Sequence, residues 1–434
     1  MREMKGSGVP WIGEIPSDWT TIKVKAIATL INGYAFNSQD LQVDRPYRVV
    51  RIGDLVGGAI DFNNCLGVES TDGYEDYRLL EGDVLIALSG ATVGKTAIVE
   101  KAQDAYINQR VGIVRSNLGR LIYYIFMITQ FVSDLKSKLN DSAQPNMSLN
   151  DIGQIIIPFC NQKEATLLIR YLDKKCTQID SIIAKEQAVI DKLQEYKRSV
   201  ITEAVTKGLN PDVAMKESGV EWLEYIPSQW DVRKLVFASY IRARLGWKGL
   251  KAEEYLEAGH PFLSAVNIQN DKLIWDDINF ISDDRYEESP EIKLQVGDIL
   301  LVKDGAGIGK CAVVNDLPYG TAAPNSSLDV ITPNSDLNTW FLYYFFESSI
   351  FQNSIARIKN GMGVPHLTQG YLKNIMVVIP PYEEQEKIVA YLDSKCAAID
   401  NTIERKQSLV TKLTEYKQSL IYEVVTGKKE VPHV

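Results

Sequence analysis

Histidine is almost missing from this chain: 434 residues hold three, His260, His366 and His433, widely separated in sequence. An acid–base relay or a metal centre built on imidazole is therefore not expected. Cysteine is scarce too. The five present (Cys65, Cys160, Cys176, Cys311, Cys396) are odd in number and form no Cys-x-x-Cys pair, which argues against a disulfide framework or a zinc site. Long apolar runs are lacking. The longest, LIYYIFMITQFV at 121–132, includes Thr129 and Gln130 and falls short of the ~20 residues that span a bilayer. It reads as one buried helix, and no membrane association is expected. The first residues, MREMKGSGVPWIGEIPSDW, have no uninterrupted apolar core of the signal-peptide kind, so the chain is expected in the cytoplasm. Basic charge is in deficit, with 47 Lys and Arg against 56 Asp and Glu and a net charge of −9. A surface coated in cations is excluded, which by itself lowers the expectation of nucleic-acid binding.

What is present is a globular composition, 45% hydrophobic and 24% charged, in a chain long enough for two or three domains. Self-comparison shows that it is duplicated. GVPWIGEIPSDW at 8–19 returns as GVEWLEYIPSQW at 219–230, an offset of 211. EGDVLIALSGATVGK at 81–95 returns as VGDILLVKDGAGIGK at 296–310, an offset of 215. YLDKKCTQID at 171 and LQEYKRSVI at 193 return as YLDSKCAAID at 391 and LTEYKQSLI at 413, both 220 apart. Each unit is thus a variable body followed by a constant tail. A period this long makes each unit a domain rather than a layer of a solenoid.

The bodies, 20–157 and 231–379, mix short β-rich runs (VGIVR at 111, DVLIAL at 83, NIMVVI at 374), turn signals (Asn32-Gly33, Gly57-Gly58) and apolar helical stretches (LIYYIFMITQFV, WFLYYFF). They read as mixed α and β. The tails, 162–206 and 383–425, contain neither Pro nor Gly and are rich in Lys, Glu, Leu and Ile. They read as long helices that follow an Ile-Pro step and end near Gly208 and Gly427. A 3-4 spacing picks out Leu172, Cys176, Ile179, Ile183, Glu186, Ile190, Leu193 and Lys197 in the first tail. In the second it picks out Leu392, Cys396, Ile399, Ile403, Lys406, Val410, Leu413 and Lys417. Two matched seams in one chain are expected to bury each other as a coiled coil. Glu186 and Lys406, of opposite sign near the middle of each seam, would meet in an antiparallel pair and fix its register.

Motifs for catalysis come close and fail. GATVGKT at 90–96 has three residues between its glycines where a phosphate-binding loop needs four, and its copy at 305–311 ends in Cys311 in place of the magnesium-binding hydroxyl. These glycines read instead as a tight turn between strands with Lys95 and Lys310 at its tip. Ile379-Pro380-Pro381-Tyr382 resembles the Asn/Asp-Pro-Pro-Tyr/Phe motif of amino-methyltransferases, but Ile379 cannot hydrogen-bond a target amino group, and the first copy reads Ile-Pro-Phe-Cys. The carboxylate-rich stretch 276–291 reads as a solvated acidic loop. No catalytic residue, metal or cofactor is assigned.

Basic and polar groups in the bodies remain as candidates for DNA contact: Arg45, Arg48 and Arg51 at three-residue spacing; Ser89, Thr92 and Lys95; Gln109 and Arg110; Arg242, Arg244, Trp247 and Lys248; and Lys303, Lys310 and Lys359. Arg and Lys neutralise phosphates, while Asn, Gln and Arg can make bidentate contacts with purine edges. For any one of them, a solvated surface charge is the simpler reading. Equivalent placement in both bodies, as at Lys95 and Lys310, gives the set its weight.

The ordered duplication of the W-I/L…IPS-x-W leader, Gly82-Asp83 and Gly297-Asp298, the G-x-x-x-G-K turn, YLD-x-K-C and L-x-E-Y-K resembles the specificity subunit of type I restriction-modification systems, over nearly the whole chain. The resemblance implies an α+β fold: two mixed α/β target recognition domains separated by a pair of long antiparallel coiled-coil helices, related by a pseudo-twofold internal repeat. Its boundaries would be 1–157 for the first recognition domain, 158–207 for the central helix, 208–379 for a linker and the second domain, and 380–434 for the C-terminal helix and tail. It implies a non-catalytic subunit that reads a bipartite, asymmetric target in double-stranded DNA, one half-site per body. Its partners would be two modification (methyltransferase) subunits and restriction/translocase subunits, which carry out methylation, translocation and cleavage. The competing readings are a coiled-coil adaptor without DNA readout and a fragment of a self-sufficient restriction-methylation enzyme. The charge deficit fits the first expectation once it is divided: the first body carries 13 basic and 15 acidic residues and the second 14 and 18. DNA would be gripped by local faces, weakly by the isolated chain and tightly in the complex.

Overall fold

The computed structural model describes residues 2–101, 103–137, 146–243, 250, 252–359 and 366–432. Packing divides the chain into two units: Met1–Gln187 with Gln407–Val434, and Ala188–Lys406. Each unit therefore holds one body, the half of one long helix that leaves it and the opposite half of the other.

In unit 1 the body is built on a four-stranded antiparallel sheet in the order Thr96–Ile98, Val84–Ala87, Val111–Arg115, Thr29–Asn32. Beside it lies a three-stranded sheet in which Tyr47–Val50 pairs parallel with Ala105–Ile107 and antiparallel with Leu66–Val68. Val84, Leu85, Ile86 and Ala87 are all buried, which is why this strand is continuously apolar instead of alternating. The stretch expected to form one buried helix forms two, Gly119–Phe126 and Thr129–Ser137. The chain bends at Met127 and Ile128, and Phe126 stacks on Phe131 across the bend with centroids 4.8 Å apart. Gly57-Gly58 makes the expected hairpin turn, with φ of 59° and 87°. Asn32-Gly33 is no hairpin: the strand ends at Asn32, and the backbone of Gly33 passes so close to Asn108 that a Cβ there would lie 2.1 Å from the Asn108 carbonyl oxygen.

Unit 2 repeats the plan. Its four-stranded sheet runs Ser239–Arg242, Leu328–Pro333, Ile299–Val302, Cys311–Val313, and its three-stranded sheet runs Asn279–Ile281, His260–Leu263, Ala323–Pro324. Helices Thr339–Glu347 and Ser349–Lys359 follow. The acidic stretch is more ordered than a solvated loop: Ser282 caps a short helix, Asp283–Glu287, whose first turn takes Asp283 and Asp284, where negative charge complements the exposed N–H groups.

The long helices are Gln162–Lys207 and Tyr382–Val425, within about a residue of the sequence expectation. Within each unit the two halves run antiparallel. In unit 1, Asp180 of the first helix receives Lys417 of the second at 2.7 Å; in unit 2, Lys197 reaches Asp400 at 2.9 Å. Leu172, Ile179, Ile190, Leu392 and Ile399 are buried, and Ile183, Leu193, Ile403, Val410 and Leu413 are half-buried. Glu186 is half-buried near the end of its segment of unit 1, and Lys406 closes unit 2; their pairing stands as an expectation.

The duplicated motifs are joints between body and helix. Asp173 of the first YLD accepts the Tyr124 hydroxyl at 2.6 Å, and Asp393 of the second accepts Tyr344 at 2.6 Å. The indoles of the two leaders, Trp19 and Trp230, are buried against the glycines through which the helices end: a Cβ on Gly427 would lie 3.2 Å from Trp19, and one on Gly208 would lie 3.1 Å from Trp230. Both glycines have positive φ, 72° and 76°, so a side chain there would be strained as well as crowded.

Candidate nucleic-acid interface

The two Gly-Asp motifs close the turns that start the central strands. Asp83 is buried, takes the Leu80 N–H at 2.7 Å and receives Arg115 Nε and Nη2 at 2.8 Å each. Asp298 is buried in the same role, takes the Gln295 N–H at 2.8 Å and receives Arg242 Nη2 at 2.5 Å. Arg242, expected at the DNA face, is 9% exposed and is spent on this carboxylate and on Thr332 Oγ1 at 2.9 Å. Its place is the interior, because a buried carboxylate needs a charge partner.

At their far ends these central strands lead into the glycine turns. In the first body, Val93 N–H donates to Gly90, Gly94 to Ala87 and Lys95 to Thr92, at 2.9–3.1 Å. Gly90 and Gly94 have φ of 72° and 85°, and a Cβ on Gly94 would come within 3.1 Å of Leu135, where the helix Thr129–Ser137 packs. The turn is the hairpin the sequence predicts, with one correction. Lys95 and Lys310 stand at its base, their carbonyls accepting Ala87 and Val302 N–H at 2.8 Å, not at its tip.

Five chain segments meet at this end of the first body. Leu88 N–H donates to Arg110 at 3.0 Å, Gln109 N–H to Tyr34 at 2.8 Å, Asn108 N–H to Val50 at 3.0 Å and Met147 N–H to Leu88 at 2.9 Å. The structure thereby brings together Ser89, Thr92, Lys95, Gln109 and Arg110. Gln109 and Arg110 are exposed at a turn, Lys95 is half-exposed, and neither cation has an ion-pair partner among the described residues. Ser89 Oγ is buried without a hydrogen-bond partner, while Thr92 Oγ1 donates to the Ser89 carbonyl at 3.1 Å. Arg51 borders the group but is held by buried Asp54 at 3.2 Å and the Asn64 carbonyl at 3.0 Å. Arg48 donates to the Cys65 carbonyl at 3.3 Å, and Arg45, at the other end of its strand, pairs with Glu69. The three-residue spacing of these arginines does not gather them into one patch. Sequence reasoning missed the aromatic group beside Gln109, in which Tyr34 lies 5.1 Å from Phe36, 4.6 Å from Tyr74 and 5.3 Å from Tyr77; the four are too far apart in sequence to form a motif.

The same end of the second body carries a different set. Lys303 N–H donates to Ser327 at 2.9 Å, Asn325 N–H to Leu263 at 2.7 Å and Leu367 N–H to Lys303 at 2.9 Å. Lys310 is exposed with no ion-pair partner among the described residues, Ser326 is exposed, and His366 is bonded to Asp304. Lys303 is drawn inward to Asp329 at 3.3 Å. Arg244, Trp247 and Lys248 lie outside the described residues, as does the side chain of Lys359, the last residue of its helix. Among the described residues no cluster of His, Cys, Asp and Glu could hold a metal, and no helix is long and apolar enough to cross a membrane.

Two α/β bodies, each with a joint to a shared helix pair and a loop end of its own, have relatives. The family described as Type I restriction modification DNA specificity domain matches residues 16–192 and again 242–411. The chain belongs to this family and carries its domain twice. It is 23% identical over 429 residues to the type I restriction enzyme MjaVIII specificity subunit of Methanocaldococcus jannaschii, covering 91% of this chain and 95% of that one. To the EcoBI specificity subunit of Escherichia coli it is 19% identical over 440 residues, covering 98% and 90%. In fold it is similar to a solved chain described under complex assembly and conformational transition of the type I R-M system, with a TM-score of 0.69 at 15% identity, covering 96% of this chain and 99% of that one. The α+β arrangement expected from the sequence is the one observed, and the family is that of the non-catalytic specificity subunits.

Proposed function

We propose that the chain reads a bipartite, asymmetric target in double-stranded DNA, one half-site per body, and carries modification and restriction subunits to it. The observation that supports this best is the contrast between the two loop ends. The Tyr–Asp and Trp–Gly contacts at the joints recur in both bodies, yet the first loop end offers Lys95, Gln109 and Arg110, and the second offers Lys310, Ser326 and the His366–Asp304 pair. Two copies of one scaffold with different polar ends suit two different half-sites, because base edges are distinguished by the donors and acceptors set against them.

The long helices suit the scaffolding role. Ile182, Val189, Tyr196, Leu409 and Tyr416 are exposed along them, a density of apolar side chains that marks a surface partner proteins can cover. At ~1.5 Å per residue, about 45 residues span roughly 65 Å, close to two turns of B-DNA, so helix length would bound the separation of the half-sites. The test is exchange: replacing residues 20–157 by another recognition domain, in the complex with modification subunits, changes one half of the methylated sequence and leaves the other. A change in both halves, or specific methylation that ignores the exchange, overturns the reading.

A further inference from the structure

Lys303 and Asp329 form an ion pair that the first body does without. The backbone hydrogen bonds above make Leu88 the counterpart of Lys303, since each donates to the neighbouring turn, at Arg110 or Ser327, and accepts from the segment that leads into the next helix, at Met147 or Leu367. By register, Gly112 corresponds to Asp329 and Leu149 to Gln369, the first residue of its helix in each body. The first body fills this place with apolar packing: Leu88 and Leu149 are buried, and a Cβ on Gly112 would lie 2.4 Å from Leu149. The second fills it with Lys303, whose side chain is 12% exposed, Asp329, fully buried, and Gln369, whose side chain favours the Asp329 carboxylate alongside Lys303. Asp329 Oδ2 has no hydrogen-bond partner.

The fold does not require this polar trio, because the same fold forms around Leu, Gly and Leu. Nor is stability its gain, since a buried ion pair roughly cancels its own desolvation. What the trio touches is the loop end. Lys303 is the residue on which the turn 325–327 and the segment His366–Leu367, bridged to Asp304, are both hung, one by its N–H and the other by its carbonyl. Burial raises the Asp329 pKa, and Lys303 and Gln369 act against that rise, so the carboxylate depends on Lys303 staying where it is.

We propose that Lys303 and Asp329 are positioning residues for the second half-site, holding the 325–327 turn and the His366–Leu367 segment at the spacing that this half of the target needs. The proposal rests on the DNA-reading role given above. The test uses the full chain assembled with its modification subunits, with the methylated motif read by sequencing. Transplanting the first body's solution, Lys303→Leu with Asp329→Gly and Gln369→Leu, is expected to leave the thermal midpoint near that of the parent. It should relax the second half-site by roughly tenfold at one position or more, with the first half-site unchanged. Lys303→Leu alone strands a buried carboxylate, and is expected to lower the midpoint of unit 2 as well. A stable triple variant with both half-sites intact overturns the positioning role. A stable triple variant that alters the first half-site equally overturns the half-site assignment on which it rests.

Discussion

Lys417 Nζ donates to both carboxylate oxygens of Asp180 at 2.7 Å, and Lys197 Nζ does the same to Asp400 at 2.9 Å. The four residues come from two copies of the same motifs, so one rule of pairing is written twice in the sequence. Burial by itself would lower the Lys197 ammonium, but the hydrogen bond and charge of Asp400 outweigh it, and its pKa is raised. The pairs are half-exposed and each contributes on the order of 0.2–1 kcal/mol; their larger role is to set register.

Charge reversal tests that role. Lys417→Asp places like charges together and is expected to lower the thermal midpoint by a few degrees, at about 2–4 °C per kcal/mol for a unit of this size. Adding Asp180→Lys should restore it. A double variant no more stable than the single would show that these groups do not set the register.

The cations divide into two kinds, and substitution separates them. Arg115→Met or Arg242→Ala leaves Asp83 or Asp298 buried without a cation, at a cost of about 3–5 kcal/mol, so the affected body should melt early with or without DNA. Lys310→Ala removes an exposed charge. It should leave the melting curve in place, weaken DNA binding by the assembled complex and reduce the slope of log affinity against log salt by about one. Calorimetry and a salt titration together check both, and an Arg242→Ala protein of parental stability would return that residue to the DNA face.

The contrast shows what the sequence makes legible. Tail boundaries are readable to about one residue because helix periodicity is local, and the duplication is readable because joints repeat. The partners of the arginines are not, since Arg242 meets Asp298 across 56 positions and nothing in RARLGWK distinguishes an interior guanidinium from a surface one. Likewise the break at Met127 depends on Phe126 stacking on Phe131, a contact that hydropathy does not encode. At the loop ends, Lys95 and Arg110 are prominent in sequence, whereas the Tyr34 aromatic group is assembled only by the fold.

Glu347 gives unit 2 a pH dependence that unit 1 lacks, since Met127 is its counterpart. Burial, then the charge of Asp271, pushes its pKa up from 4.5 to about 7; the Cys311 thiol, 3.4 Å away, and the Lys197 and Arg198 charges act in the opposite direction. A carboxyl with a raised pKa in the folded state holds a proton that the unfolded chain releases. Stability from this group is therefore present below about pH 4.5 and declines as pH rises to about 7. Glu347→Gln should flatten that decline in denaturant titrations between pH 5 and 8. An unchanged slope would show that another group controls it.

Trp11 and Trp222 occupy the same place in the repeated leader, yet Trp11 is 7% exposed and meets Phe131 edge-on at 5.6 Å, whereas Trp222 is 41% exposed. The difference follows from two residues further along. Gly13 has φ 71°, which lets Ile12 and Gly13 N–H both bond back to Val9 and turns the indole inward. Its counterpart is Glu224, which stays extended in Leu223–Pro227, so the hairpin closes at Val220 and Leu223 and Trp222 rides on its tip. Left-handed backbone costs a residue with a Cβ about 1–2 kcal/mol. Gly13→Glu is therefore expected either to lower the midpoint of unit 1 by roughly 2–8 °C or to convert its leader to the second form. Conversion would expose Trp11, and acrylamide quenching of a protein keeping Trp11 as its single added reporter over a Trp-to-Phe background at the exposed sites reads this directly. A Gly13→Glu protein with parental stability and a shielded Trp11 would show that the glycine does not choose between the two forms.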